Sequence, residues 1–208
     1  MISKQSILDF EKQYRTQFVN SLAGYKQPVL VSSIDSNQQV NLAVFNSLIH
    51  IGAHPPLFGL IFRPSIVARH TLTNIKETEF FGLNYMDTNH IKPMHQTSAR
   101  YPKEINEFVA CGFEEEWLEG CPMPFVREAK IKVLMKRIEE IEIKSNQTQM
   151  IIASIEQVFI EDSYISSDGF IRFEELHIAA SQGLDTYFEP KKIDRFSYAK
   201  VDRDISSI

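Results

Sequence analysis

The residues of this chain best suited to chemistry are polar and cationic groups between positions 41 and 98. Asn41, Asn46 and Ser47 lie along or just beyond one apolar stretch, Arg63 follows another, and Arg69-His70-Thr71 stands in a segment with helical spacing. Arginine supplies a planar fork of N–H donors that matches phosphate or carboxylate. A helix N-terminus adds backbone N–H groups and a favourable dipole, and Thr71 adds a hydroxyl. Such a set can bind an anion. On spacing alone, a solvated arginine pair on an ordinary surface helix is the stronger of the two readings.

If 39–46 is a strand, Asn41, Ala43 and Phe45 point to one face and Leu42, Val44 and Asn46 to the other. A residue as small as Ala43 lets a flat ring lie against the backbone, and Asn and Ser groups can meet the polar edge of a heterocycle. A strand end with turn-forming residues explains the same letters.

Other chemistries lack their residues. His50 and His54 are four apart, but Gly52 lies between them and Pro55-Pro56 follows, so the context is a loop and no metal site is assigned. The chain has no GxGxxG after a strand, no GxxxxGK[ST] and no GxSxG. Glu114, Glu115 and Glu116 read as a solvated run, and His90, His95 and His177 as isolated structural or solvated residues. Gln96–Pro102 is a polar loop that either covers a ligand or merely connects. No side chain is assigned a catalytic role.

The elements that must position these groups follow from periodicity. Ile7, Phe10, Tyr14, Phe18 and Leu22 give residues 4–22 one apolar helical stripe, closed at Gly24. Residues 28–34 and 39–46 flank Asp35-Ser36-Asn37-Gln38 as a hairpin. Leu57–Phe62 reads as the next strand, 66–76 as a short helix, Phe80–Tyr85 as a strand and 103–110 as a helix. Ala129–Ile143 alternates but changes phase near Ile138, which predicts a turn or bulge. Residues 149–161 form a further strand, Ser166–Gly169 a turn, and 171–208 short apolar pieces between loops. Together these predict a single mainly β (α+β) domain over 1–208, with an N-terminal helix in 1–24 and a C-terminal extension from 165.

With 208 residues, the chain can bury a core without staples. A net charge of −5 argues against nucleic acid as the main partner. Two cysteines outside a CxxC pattern suit a reducing cytoplasm. No apolar run reaches the length of a membrane span, and Lys4, Asp9, Glu11 and Lys12 interrupt any signal-peptide core.

Several segments in their order resemble a known family. They are Val31-Ser32-Ser33-Ile34-Asp35, Asn41–Ser47, His54–Phe58, Ala68–Ile75, a Phe-rich strand reaching Asn84, and Gln96–Ala99 followed by Glu107-Phe108. They resemble the flavin reductase-like, FMN-binding split-barrel family, particularly its flavoredoxin branch, over roughly residues 25–160. His177–Tyr187 and Arg195–Tyr198 are similar to the C-terminal end of that branch. The resemblance implies a six-stranded antiparallel Greek-key split barrel with peripheral helices, a homodimer, and one FMN per subunit near the interface.

By the same resemblance, Asn41, Ala43, Asn46 and Ser47 line the isoalloxazine and ribityl chain, Arg69, His70 and Thr71 hold the phosphate, and Arg63 and Ser98 contribute. His70 stands where many relatives are acidic, and Val44 where many have proline. The implied activity is NADH- or NADPH-dependent flavin reduction, with hydride passing to flavin N5. The alternatives are an FMN-binding electron-transfer or flavin-storage protein, and a dimeric binding module without cofactor.

Overall fold

The structure is a computed structural model that describes residues 1–64 and 69–208. Its elements, in chain order, begin with α1 (Lys4–Asp9), α2 (Lys12–Leu22), β1 (Tyr25–Lys26), β2 (Val29–Ile34), β3 (Val40–Phe45), β4 (Leu48–Ala53) and β5 (Pro56–Phe62). Then come α3 (His70–Thr78), β6 (Phe80–Tyr85), α4 (Ile91–Gln96), α5 (Glu107–Cys111), β7 (Glu115–Glu116) and β8 (Phe125–Val126). The chain finishes with β9 (Ile131–Ile143), β10 (Thr148–Phe159), β11 (Ala180–Gln182) and β12 (Thr186–Phe188). Of the expected helix 66–76, residues 66–68 lie outside the described residues, and Arg69, expected inside the helix, is instead its N-cap.

The main sheet has seven strands, ordered β3-β2-β6-β9-β10-β5-β4 and antiparallel throughout, where six were expected. Leu48–Ala53, read from sequence as loop, is the edge strand β4. Its signal is weak because an edge strand is half-solvated: Ile49 and Ile51 stay exposed, and a register shift between His50 and Gly52 breaks its alternation. The β2–β3 hairpin forms as expected. Asp35 shapes its turn by accepting from the backbone N–H of Asn37 and Gln39 at 2.8 and 2.9 Å. Ile138 is the extra residue between the Arg137↔Ala153 and Glu139↔Ile152 pairs, so the phase change in β9 is a bulge.

Two apolar cores explain why β2 is buried along its whole length. Val29 and Val31 join Leu60, Phe62, Phe81, Leu83, Val133 and Ile151 in the sheet interior, and Phe45 and Leu48 from the two edge strands pack against the same cluster. Leu30, Ile34 and Leu42 face the other way, onto Met94, Phe108, Met123 and Phe125. The excursion from 86 to 129 is therefore a second layer laid on the outer face. Gly82 allows its close approach, because a Cβ there would stand 2.8 Å from Phe125 Cε1. Asn84 ties the layers together: its Nδ2 donates to Leu30 O at 3.1 Å, and its Oδ1 accepts from Val126 N at 2.8 Å.

Two further expectations are corrected, and a third gains its partners. The N-terminal helix is two helices, because Glu11 caps a new one by accepting from Gln13 and Tyr14 N–H. The helix expected at 103–110 is the shorter α5, capped by Asn106. The acidic run is partnered: Glu114 pairs with Arg127, Glu116 with Lys132, and Glu115 accepts from Asn106 and Trp117. Among the described residues no helix is long and apolar enough to cross a membrane.

Candidate functional site

A cleft of about 590 Å³ opens beside β3, and all nine residues singled out from sequence line it. Its volume falls within the roughly 300–1,000 Å³ of small-molecule and cofactor sites. Asn41, Ala43, Asn46 and Ser47 come from β3 and the link that follows it, Arg63 from the end of β5, Arg69, His70 and Thr71 from the start of α3, and Ser98 from the loop after α4.

The first wall is built by β3, the end of β5 and α3. Buried Asn41 donates from Nδ2 to Thr71 Oγ1 at 2.9 Å, fixing the strand to the first turn of the helix. Thr71 therefore accepts there, and its hydroxyl proton is free to point elsewhere. Asn46 Nδ2 donates to Gly183 O at 2.9 Å, and Ser47 Oγ donates to Ile61 O at 3.0 Å. These two donors serve the scaffold, leaving backbone groups and the flat face beside Ala43 for a ligand. Phe45, packed edge-on against Phe62 at 5.0 Å, backs that face.

The α3 N-terminus is open to an anion. Its N-cap position is Arg69, whose own side chain does not cap it, and no acidic residue occupies its first turn. Among the described residues, the orphan N–H groups of that turn have no side-chain acceptor. Both neighbouring arginines are exposed. Arg63 donates to Asn20 Oδ1 at 2.7 Å, and Arg69 makes a long 3.5 Å contact to Arg63 O. Burial pushes the Lys26 ammonium below its ordinary pKa, and the Arg63 charge adds to that shift.

The second wall comes from segments that sequence reading missed or left ambiguous. The Gln96–Pro102 loop does line the cleft, through Thr97–Tyr101. Glu107, at the start of α5, is buried and lines the cleft. One of its oxygens accepts from Leu42 N at 3.1 Å. Burial raises the pKa of this carboxyl, against the opposing pull of the Leu42 N–H. His95, read from sequence as isolated, lines the cleft with its Nδ1 2.9 Å from Tyr187 Oη. Tyr187 arrives on β12, which pairs through β11 with β1. No local signal joins residues 92 apart in sequence. Among the described residues no cluster of His, Cys, Asp and Glu suits a metal.

Residues 22–168 match the model of the flavin reductase like domain. A candidate flavin reductase with a split barrel domain, from Shewanella frigidimarina NCIMB 400, has 37% identity. The match covers 96% of this chain and 99% of that one, with a TM-score of 0.92. The 2-nitrobenzoate 2-nitroreductase of Pseudomonas fluorescens superposes with a TM-score of 0.80 at 21% identity, covering 98% of both chains. The flavoredoxin of Desulfovibrio vulgaris (Miyazaki F) does so with a TM-score of 0.70 at 18% identity, covering 86% of this chain and 92% of that one. At those two identities the likeness is one of fold.

Proposed function

The chain belongs to the flavin reductase-like domain family, and on that footing we propose that it is an FMN-binding oxidoreductase working as an NAD(P)H-dependent flavin reductase. The observation that carries this reading is one cleft that joins a helix N-terminus, which no described side chain caps and which Arg63 and Arg69 flank, to the flat Ala43 face of β3. The donor set fits the group. A phosphate needs charge-assisted donors, and the α3 end offers two guanidiniums, first-turn N–H groups and the Thr71 hydroxyl. A planar ring system needs a wall without a projecting side chain, which Ala43 provides.

Arg63, Arg69, Thr71 and the first turn of α3 would hold the phosphate, with His70 beside them. Asn41, Ala43, Asn46 and Ser47 would hold the ring and ribityl chain, largely through backbone groups, and Ser98 would close over it. Bound there, FMN would supply the redox chemistry by taking hydride at N5 from NADH or NADPH. The chain's own work is to orient and to exclude water. The Thr97–Tyr101 loop covers the cleft, with Tyr101 Oη accepting from Gln96 Nε2 at 3.0 Å, and Phe45 and Phe62 back the first wall. In this reading no protein acid or base is obligatory.

We take the working form to be a cytoplasmic homodimer in which the whole chain acts as one domain. Exposed Tyr14, Val19 and Leu22 on α2, and Ile49 and Ile51 on the β4 edge, support a second copy packing on this one.

Purified protein mixed with FMN should retain flavin absorbance through gel filtration and elute at twice the chain mass. Anaerobic NADH or NADPH should then bleach it. Failure to retain FMN would defeat the proposal. Retention without bleaching by either donor would favour an FMN-binding electron-transfer or storage protein.

A further inference from the structure

The cleft contains a hydrogen-bonding pair that the FMN cradle does not use. His95 Nδ1 and Tyr187 Oη are 2.9 Å apart, their rings meet edge to face at 5.7 Å, and both line the cleft. Each is held by regular structure. His95 is in the last turn of α4, next to fully buried Met94, and Tyr187 is in β12, in register with Ser181 of β11. The Tyr187 ring packs against the outer core. Donors fixed on helices and strands are the kind that orient a ligand.

Their neighbours are already engaged. Thr97 Oγ1 donates to Met94 O at 2.8 Å, Ser98 N donates to His95 O at 3.0 Å, and Gln17 Nε2 donates to Asp185 Oδ2 at 3.0 Å. When the neutral His95 ring carries its proton on Nδ1, it donates to Tyr187 Oη, and the phenol proton is then directed away from His95. Ala99 and Leu184, next in the chain to the charged Arg100 and Asp185, line the same cleft, so a flat ligand meets apolar surface there.

We propose that His95 and Tyr187 form a second ligand subsite within the cleft, in which the Tyr187 hydroxyl, oriented by His95, donates a hydrogen bond to the conjugated carbonyl oxygen of a small planar ligand. The inference rests on the FMN reading, because such a ligand would lie alongside the flavin. Two sources share this chemistry: the carboxamide of a nicotinamide donor, and an organic acceptor such as an aromatic ketone. Burial, with the Asp185 charge, holds the Tyr187 phenol above its ordinary pKa, so it keeps its proton at neutral pH.

The test titrates the FMN-loaded protein with NAD⁺, NADP⁺ and acetophenone in separate arms, reading the perturbation of oxidised-flavin absorbance. We expect at least one arm to bind. Tyr187→Phe should weaken that arm roughly three- to tenfold, the value of one neutral hydrogen bond, while FMN affinity stays within about twofold. The weakened arm identifies the source of the carbonyl. Thermal melts matched to the unsubstituted protein show that Tyr187→Phe is folded, since Phe keeps the ring contact with His95.

The proposal is overturned if no arm binds, if Tyr187→Phe binds all three equally well, or if FMN affinity falls in step. Should the chain fail to take up FMN, the flavin reading fails separately, and calorimetry on the unloaded protein decides the subsite. Binding weakened by Tyr187→Phe sustains it, and no binding or unchanged binding removes it.

Discussion

The two walls of the cleft differ in chemistry and in support. The first, made of β3, the end of β5 and the start of α3, is cationic and backed by the sheet interior: Phe45, Phe62 and Ile75 all belong to that core. The second, made of α4, the 97–101 loop, α5 and β12, offers neutral donors, the Arg100 guanidinium and one buried carboxyl, and it rests on the outer core through Met94, Phe108 and Tyr187. The difference separates two tasks. A charged, phosphate-sized grip stands on the rigid sheet. The groups proposed to meet a second ligand stand outside the main sheet, His95 on the added layer and Tyr187 on β12 of the β1-β11-β12 sheet.

Removing the anchor of the added layer should have the largest effect. Phe108 is fully buried beneath α5, and Phe108→Ala should cost about 3–5 kcal/mol in urea unfolding. If the layers share one fold, the loss appears as a single cooperative transition at lower urea. An unchanged main transition with a new early phase would mean that the outer layer unfolds on its own, and that the walls are independent.

A smaller effect belongs to the cationic wall. Arg69→Ala should weaken FMN by about tenfold or more, the value of a charge-assisted hydrogen bond, while riboflavin, which lacks the phosphate, loses little. Equal losses in fluorescence-quenching titrations would show that Arg69 does not grip the phosphate.

The smallest effect concerns a tie between the walls. Asp35, in the β2–β3 turn, accepts at Oδ2 from Lys103 Nζ at 2.7 Å, and Lys103 belongs to the segment joining α4 to α5. The Lys103 ammonium, then the Gln39 and Asn37 N–H groups, hold the Asp35 carboxyl below its ordinary value. A carboxyl with a lowered folded pKa stabilises the protein above its unfolded value of about 3.9, and that stability is lost as pH falls through the folded value. Stability should therefore decline below about pH 4. Asp35→Asn should flatten part of that decline, measured as the pH dependence of the melting temperature. An identical acid limb in the variant would show that Asp35 carries none of it.

What the sequence makes legible follows the same division. The β2–β3 hairpin, the Phe80–Tyr85 strand and the bulge at Ile138 were legible because alternation and turn chemistry are local. The edge strand β4 was not, since solvent on its outer side and a bulge at mid-strand erase the period. Arg63, Arg69 and Thr71 were legible as a possible anion site because they lie within nine positions of one another. His95 was read as isolated because its partner is a tyrosine far along the chain.

From its residues alone, this chain determines a mainly β fold, a hairpin carrying a small residue at Ala43, and arginines placed before and within a short helical segment. Those features depend on side-chain period, turn preference and charge, which act over a few residues. Only the tertiary structure decided that the Asn46 and Ser47 donors serve the scaffold, that Glu107 is buried against Leu42 N–H, and that His95 meets Tyr187. Each of these depends on which face of a distant strand or helix packs against β3. Close packing of two cores selects that face, and no local periodicity encodes it.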